Sequence, residues 1–138
     1  MIAYAAAFLL GALTGAAGKY LADKYTDQRR HKETLKREAE AFQKMVAIMP
    51  DLLGEMKADI SMAQHATWRD LYVIKQGYSL CFSGQFFIYK DDGKNCYLNK
   101  ANLLQESGFL ANLNTDPHKS PHFRLKEHFV ETLLAWRP

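Results

Sequence analysis

The side chains of this 138-residue chain that could do chemistry are few and widely spaced. His118 and His122 lie four positions apart, a separation compatible with metal ligation, and Cys81 and Cys96 could complete a four-ligand zinc site. The 14 residues between the two cysteines, however, are far from the close pairs typical of such sites. The spacing therefore disfavours a zinc site, and in a cytosolic setting reduced core thiols are favoured over a disulfide. We predict neither a metal nor a cofactor.

No catalytic motif stands out around these residues. The sequence contains no G-x-S-x-G, P-loop, G-x-G-x-x-G, H-E-x-x-H or paired C-x-x-C pattern. His128 falls in a predicted helix without a neighbouring nucleophile, which is typical of a surface or half-buried histidine. We therefore predict a protein that is not an enzyme, while catalysis by residues that only the fold brings together stays an alternative.

The charge of the chain is unevenly distributed, although its overall composition is that of a globular protein with one small domain. From Lys19 to Lys44 there are eight basic and five acidic residues, whereas Met45 to Pro138 has ten of each. Domains that bind nucleic acid usually carry a basic surplus of their own. The neutral C-terminal part therefore disfavours nucleic acid as a partner.

The apolar N-terminus predicts a membrane anchor. Residues 1–18 carry no charge, and a helix over residues 1–22 would reach about 33 Å, enough to cross a bilayer. Basic residues follow the apolar run and none precedes it, which predicts an uncleaved single-pass helix in a bacterial inner membrane, with the N-terminus outside and the domain cytoplasmic. These membrane-proximal basic residues are Lys19, Lys24, Arg29, Arg30 and Lys32. A cleaved signal peptide and a buried soluble helix are the alternatives.

Small residues recur along one side of this apolar segment. They are Ala7, Gly11, Gly15 and Gly18. Small side chains about four residues apart let two helix backbones approach closely in lipid, so we interpret them as a helix-packing face. A segment that is merely rich in alanine and glycine would show the same pattern.

Residues 23–49 predict a long helical stalk that continues the anchor, since no glycine or proline interrupts them. Apolar residues recur at alternating spacings of four and three, interrupted by the polar Gln28 and Lys32, which is typical of a coiled-coil seam. The seam consists of Leu21, Tyr25, Leu35, Phe42, Val46 and Met49. The seam predicts a homo-oligomer, or alternatively an amphipathic helix that packs on the chain's own domain.

Residues 50–138 predict a small α+β domain, mostly helical with short β-hairpins. Pro50 suits the first turn of a helix, and "ATWRDLYVIKQ" is interpreted as another. The turn "DDGK" predicts a hairpin between strands at Phe86–Tyr89 and Cys96–Leu98. A helix capped by Asn99, two short strands in "FLANL" and "HFRL", and a final helix "KEHFVETLLAW" complete the predicted elements.

The order of helix, strand, polar turn, strand and helix over residues 61–135 resembles a winged-helix domain, most closely in "FRLKEHFVETLL". This winged-helix-like resemblance implies a groove-facing helix and a wing that touches phosphates. The residues it implies for nucleic-acid contact are Asn99, Lys100, Asn102 and Gln105 on the helix, and His118, Lys119 and Arg124 on the wing. Winged-helix shapes also serve as protein-interaction modules, which suits the neutral charge better.

The sequence thus predicts a membrane-anchored, cytoplasmic-side protein-interaction or assembly module without enzymatic activity. Its partners would be the lipid bilayer, further copies of itself and an unidentified protein. A membrane-tethered DNA-binding regulator and an oligomerising membrane effector are the two alternative functions.

Overall fold

The computed structural model describes residues 2–75, 77, 83–114 and 119–137, with side chains at residue 15 and from residue 18 onward within those ranges. The chain divides into two compact units, Met1–Gln43 and Lys44–Pro138. The first unit consists of one helix, and the second is an α+β unit.

Helix α1 spans Ile2–Ile48, which at about 1.5 Å per residue makes it about 70 Å long. Oppositely charged residues one turn apart support it, as in the ion pair of 3.0 Å between Arg29 and Glu33. The helix ends before Pro50, because the proline ring disfavours helical geometry in the preceding residue. Met49 accordingly has a φ of −140° and a ψ of 55°.

The prediction of a transmembrane helix over residues 1–22 is wrong. Within the described part of the chain, no helix combines the length and the apolar character needed to cross a membrane. The single-pass topology and the inner-membrane location with a cytoplasmic domain are therefore not supported either. Leu, Ile, Phe and Val supply most of the favourable free energy of insertion, and only five of the first 18 residues belong to these types, whereas ten are Ala or Gly.

The α+β unit contains three further helices and a four-stranded sheet. In chain order its elements are α2 (Pro50–Ser61), a short 3-10 turn (Ala63–His65), β1 (Asp70–Lys75), β2 (Phe86–Asp91), α3 (Tyr97–Glu106), β3 (Leu110–Asn112), β4 (His122–Leu125) and α4 (Glu127–Ala135). The strand order is β2-β1-β4-β3, in which β1 and β2 run parallel and the other neighbours are antiparallel. Strands β2 and β3 are therefore the edges of the described sheet.

The predicted helix at Pro50, the strands β3 and β4 and the final helix are confirmed. Two other predictions are wrong. The segment "ATWRDLYVIKQ" contains strand β1, and the predicted strand Cys96–Leu98 is the first turn of α3. The expected hairpin is therefore absent from the described residues, and the parallel pairing of β1 with β2 departs from the winged-helix pattern.

The core of the α+β unit lies between one face of the sheet and the helices. Alternate strand residues point into it, and α2 contributes four buried side chains. The buried strand residues on this inner face are Leu71, Val73, Phe87, Tyr89, Leu110, Phe123 and Leu125, and those on α2 are Leu52, Leu53, Met56 and Ile60. The Lys57 ammonium donates a hydrogen bond to the carbonyl of Trp136, which connects α2 to the end of α4. The opposite sheet face carries the charged strand residues Asp70 and Arg124 together with the aromatic side chains of Tyr72 and Phe86.

Candidate functional site

The N-terminal part of the predicted seam forms an exposed apolar stripe on α1. Leu21, Tyr25 and Leu35 are 50%, 70% and 51% exposed. In a helix these three residues lie on one side, and Gln28, Lys32 and Ala39, which follow the same heptad spacing, lie on that side too. We define the α1 seam as Leu21, Tyr25, Gln28, Lys32, Leu35 and Ala39. Large apolar side chains that recur in register along one helix face form a surface suited to association.

The C-terminal part of the predicted seam is in a different environment. Phe42 is 2% exposed, Met49 is 1% exposed and Val46 is half-buried. Met49 and Val46 belong to the α+β unit, in whose core Met49 is buried. Phe42 and Met49 are therefore not exposed to another molecule, and the exposed part of the predicted seam is the α1 seam.

The predicted helix-packing residues are described only in part. Ala7 and Gly11 lie among the residues whose side chains are not described. A Cβ placed on Gly15 or Gly18 would meet no described atom within 4 Å, so contacts within one chain do not require glycine at these positions. The predicted membrane-proximal basic residues are all exposed. Of these, Arg29 is engaged with Glu33.

A second candidate site lies on the outer face of the sheet. Arg124 of β4 donates to both carboxylate oxygens of Asp70 on β1, at 2.6 and 3.1 Å. His122 lies two residues earlier on β4, and its ring stacks on Tyr72 with centroids 4.2 Å apart. Phe86 of β2 contacts the same tyrosine edge to face at 5.2 Å. Charged and aromatic side chains from three strands thus form one outer-face cluster, defined as Asp70, Tyr72, Phe86, His122 and Arg124.

The electrostatics of the outer-face cluster depend on Asp70. The hydrogen bond from the Arg124 guanidinium holds the pKa of this carboxyl below its ordinary value, and the positive charge of Arg124 adds to the effect. The buried Nε2 of His122 lies 3.5 Å from Asp70 Oδ2, within ion-pair range for a protonated ring, but forms no hydrogen bond in the described structure. A histidine beside a carboxylate can position a proton, yet no described nucleophile contacts this pair.

Replacing Asp70 by asparagine is expected to lower the free energy of unfolding by about 0.5–1 kcal/mol at pH 7, the range of partly exposed ion pairs. Because the folded-state pKa of Asp70 is lowered, this contribution is present above the unfolded pKa of about 3.9 and is lost as the pH falls through the folded value. Urea unfolding at pH 7 and below pH 4 measures both effects. The double variant Asp70→Asn with Arg124→Gln should lose less than the sum of the two single losses, and additive losses would contradict the pairing.

The residues that the winged-helix resemblance implied for nucleic-acid contact are dispersed. Asn99 and Asn102 are exposed on α3, while Lys100 and Gln105 on the same helix are half-buried. Lys119 is exposed outside the strands, and His118 lies outside the described residues. Arg124 is held by Asp70, so its charge is already neutralised. The described residues therefore present no continuous basic surface in these positions.

No known protein family, curated protein or solved structure matches this chain.

Metal binding receives no support from the part of the chain that the structure describes. Cys81 and His118 lie outside it, and Cys96 is exposed, with its Sγ 3.6 Å from the carbonyl oxygen of Gly93. Among the described residues, no three His, Cys, Asp or Glu side chains are grouped so that they could hold a metal ion.

One small cavity lies inside the α+β unit. It is lined by apolar side chains of α2, β1, α3 and β3 together with Tyr89 and Tyr97, and its volume is about 10 Å³. This is about the space for a single water molecule, which is far below the several hundred Å³ of a typical ligand pocket. The cavity is therefore a packing gap in the core, and the α1 seam and the outer-face cluster are the two candidate surfaces.

The outer-face cluster is the site that sequence reasoning missed. Asp70 and Arg124 are 54 positions apart, and they meet only because β1 and β4 pair with these two residues opposite each other. No local pattern in the sequence indicates that register. The α1 seam, by contrast, is visible as a heptad spacing in the sequence.

Proposed function

We propose that this protein is a non-enzymatic assembly module whose copies associate through the α1 seam. The observation that carries the proposal is the exposure of Leu21, Tyr25 and Leu35 along one face of α1, within the unit Met1–Gln43. Each copy would bring its own α+β unit into the assembly. Several α+β units held together bind a protein partner more tightly than one, because the second contact is made at high effective concentration.

The energetics of the exposed side chains favour this proposal. Fully burying a leucine side chain contributes about 1.5–3 kcal/mol, so burying the exposed half of Leu21 or Leu35 contributes about 1 kcal/mol for each residue in each copy. Tyr25 is 70% exposed, and an aromatic ring adds a large contact area at low cost in side-chain entropy. The two polar positions at the centre of the seam, Gln28 and Lys32, are the kind of residue that fixes register in coiled coils.

The alternative of a DNA-binding regulator is less well supported by the described residues. The C-terminal part of the chain has no net charge, and Arg124, one of the predicted wing residues, is paired with Asp70. Phosphate contacts dominate nucleic-acid affinity, so a neutral surface with a neutralised arginine is a poor electrostatic match.

Leu35→Glu is expected to weaken self-association about 100-fold, because it removes an apolar contact from each copy and brings a charge into the interface. Sedimentation equilibrium of the full-length chain, across a range of concentrations, measures the dissociation constant. The matched control is Thr34→Glu, an adjacent exposed residue of α1 that lies off the seam. Wild-type protein that is monomeric at every concentration, or equal effects of the two substitutions, would contradict the proposed function.

A further inference from the structure

The charges that flank the α1 seam indicate how two copies are oriented. Residues beside an a/d seam, at the e and g positions, face their counterparts on the second helix and decide between parallel and antiparallel pairing. With Tyr25, Lys32 and Ala39 at the a positions, the g positions are Lys24, His31 and Glu38. The e positions are Ala22, Arg29, Lys36 and Gln43.

A parallel, in-register pair would place like charges together. Each g residue would then face the e residue five positions later on the second copy, so Lys24 would face Arg29 of that copy, twice in the dimer. Lys32 would lie in the seam directly beside Lys32 of the second copy. Like charges at such positions are destabilising, most of all where the seam excludes water.

An antiparallel pair that crosses at Arg30 removes these conflicts. Tyr25 then lies level with Leu35 of the second copy, Leu21 with Ala39, and Gln28 with Lys32, so a large side chain meets a smaller one and no lysine faces a lysine. The g residues now face each other, which brings Lys24 to Glu38 of the second copy, twice in the dimer.

The remaining charges fit the same arrangement. Lys24 and Glu38 form no ion pair within the described part of their own chain, and Glu38 is half-buried. Arg29 faces Arg29 of the second copy, but Glu33 of its own helix lies 3.0 Å away and offsets its charge. The antiparallel arrangement thus gains two Lys24–Glu38 pairs and has one Arg29–Arg29 contact, whereas the parallel arrangement has two Lys24–Arg29 contacts and one Lys32–Lys32 contact.

We infer that the α1 seam binds a second copy of this chain in antiparallel orientation, with Lys24 of each copy opposite Glu38 of the other. This inference rests on the proposed function, because it takes self-association through the seam as given.

Lys24→Glu distinguishes the two orientations, because it changes the dissociation constant of the dimer in opposite directions. In the antiparallel pair, Lys24→Glu places a second carboxylate beside Glu38 and is expected to raise the dissociation constant about 10-fold. The double variant Lys24→Glu with Glu38→Lys exchanges the two charges and is expected to restore the wild-type dissociation constant. In a parallel pair the same substitution would face Arg29 and tighten association. Lys19→Glu, an exposed charge change off the seam, controls for net charge.

Spin labels give an independent distance for the same question. A label at Tyr20→Cys, in a chain carrying Cys81→Ser and Cys96→Ser, is expected about 30 Å from its copy along the helix axis in the antiparallel dimer. A parallel dimer would bring the two labels within about 20 Å. Tighter association of Lys24→Glu or the short label distance would overturn the orientation alone, whereas a monomeric wild-type chain would overturn the proposed function as well.

Discussion

Leu133→Ala is expected to lower the free energy of unfolding of the α+β unit by about 2–5 kcal/mol. Leu133 of α4 is 0% exposed, so the substitution removes buried apolar contacts and leaves a cavity that the surrounding side chains fill only in part. A unit of this size has a total stability of about 5–14 kcal/mol. The loss is therefore a large fraction of what keeps it folded.

The neighbouring Leu134 supplies the control for this prediction. It is 44% exposed on the same helix, so Leu134→Ala makes the same chemical change with little burial and is expected to cost below about 1 kcal/mol. Both tryptophans of the chain, Trp68 and Trp136, lie in the α+β unit, so denaturant unfolding followed by tryptophan fluorescence reports on that unit. Equal losses for the two leucines would contradict the placement of α4.

Strand β1 shows why part of the fold could not be predicted. In "ATWRDLYVIKQ" the apolar residues Trp68, Leu71, Tyr72 and Ile74 fit one helical face, which led to the prediction of a helix. In the structure Leu71 and Val73 point into the core, while Ile74, of opposite parity in the strand, is also only 3% exposed. A strand with buried residues on both faces loses its period of two, so local periodicity cannot separate it from a buried helix.

The turn after β2 shows a different limit of local sequence signals. "DDGK" does form a turn, with Asp92 Oδ1 accepting hydrogen bonds from the N–H groups of Lys94 and Asn95. The chain then enters α3 instead of returning as a strand, and Asp91 Oδ2 accepts a hydrogen bond from the N–H of Leu98 in the first turn of that helix. Aspartate stabilises both tight turns and helix N-termini, so the same residues predict either outcome.

The two candidate sites also differ in how far local sequence predicts them. The α1 seam depends on residues close together in one helix, so its spacing could be predicted from the sequence. The sequence could not show which positions of the longer predicted seam are buried, because Phe42 and Met49 have the same spacing as Leu35 yet are almost fully buried, while Leu35 is 51% exposed. The Asp70–Arg124 pair depends on strand register, which is a property of the whole sheet.

Raising the pH above about 10 is expected to destabilise the α+β unit through Tyr89. The Tyr89 hydroxyl donates a 2.9 Å hydrogen bond to Asp59 Oδ2, and the residue is 4% exposed. Burial raises the pKa of Tyr89 well above its ordinary value, and the nearby Asp59 carboxylate raises it further, because a phenolate there would be poorly solvated and beside another negative charge. Folding therefore favours the protonated tyrosine.

The sign of the pH dependence follows from that raised pKa. The stabilisation is fully present below the unfolded tyrosine pKa of about 10 and is lost as the pH rises toward the folded value, at up to about 1.4 kcal/mol per pH unit. Tyr97, which donates to Glu55, adds to the slope, since burial and that carboxylate raise its pKa to about 12. Unfolding free energies measured from about pH 8 to about pH 11.5 give the slope directly.

Tyr89→Phe separates the contribution of this residue from other alkaline effects. At neutral pH it is expected to cost about 1–2 kcal/mol, because Asp59 loses its hydrogen-bond donor. Above about pH 10 the variant has no Tyr89 proton to lose, so the wild-type advantage shrinks and its curve approaches that of the variant. Tyr20→Phe, at a 67% exposed tyrosine of α1 outside the α1 seam, leaves the wild-type slope of the α+β unit in place. If the unfolding free energies of wild type and Tyr89→Phe changed in parallel over the whole alkaline range, the buried hydrogen bond would be contradicted. The two slopes are equal only if folding leaves the pKa of Tyr89 unchanged.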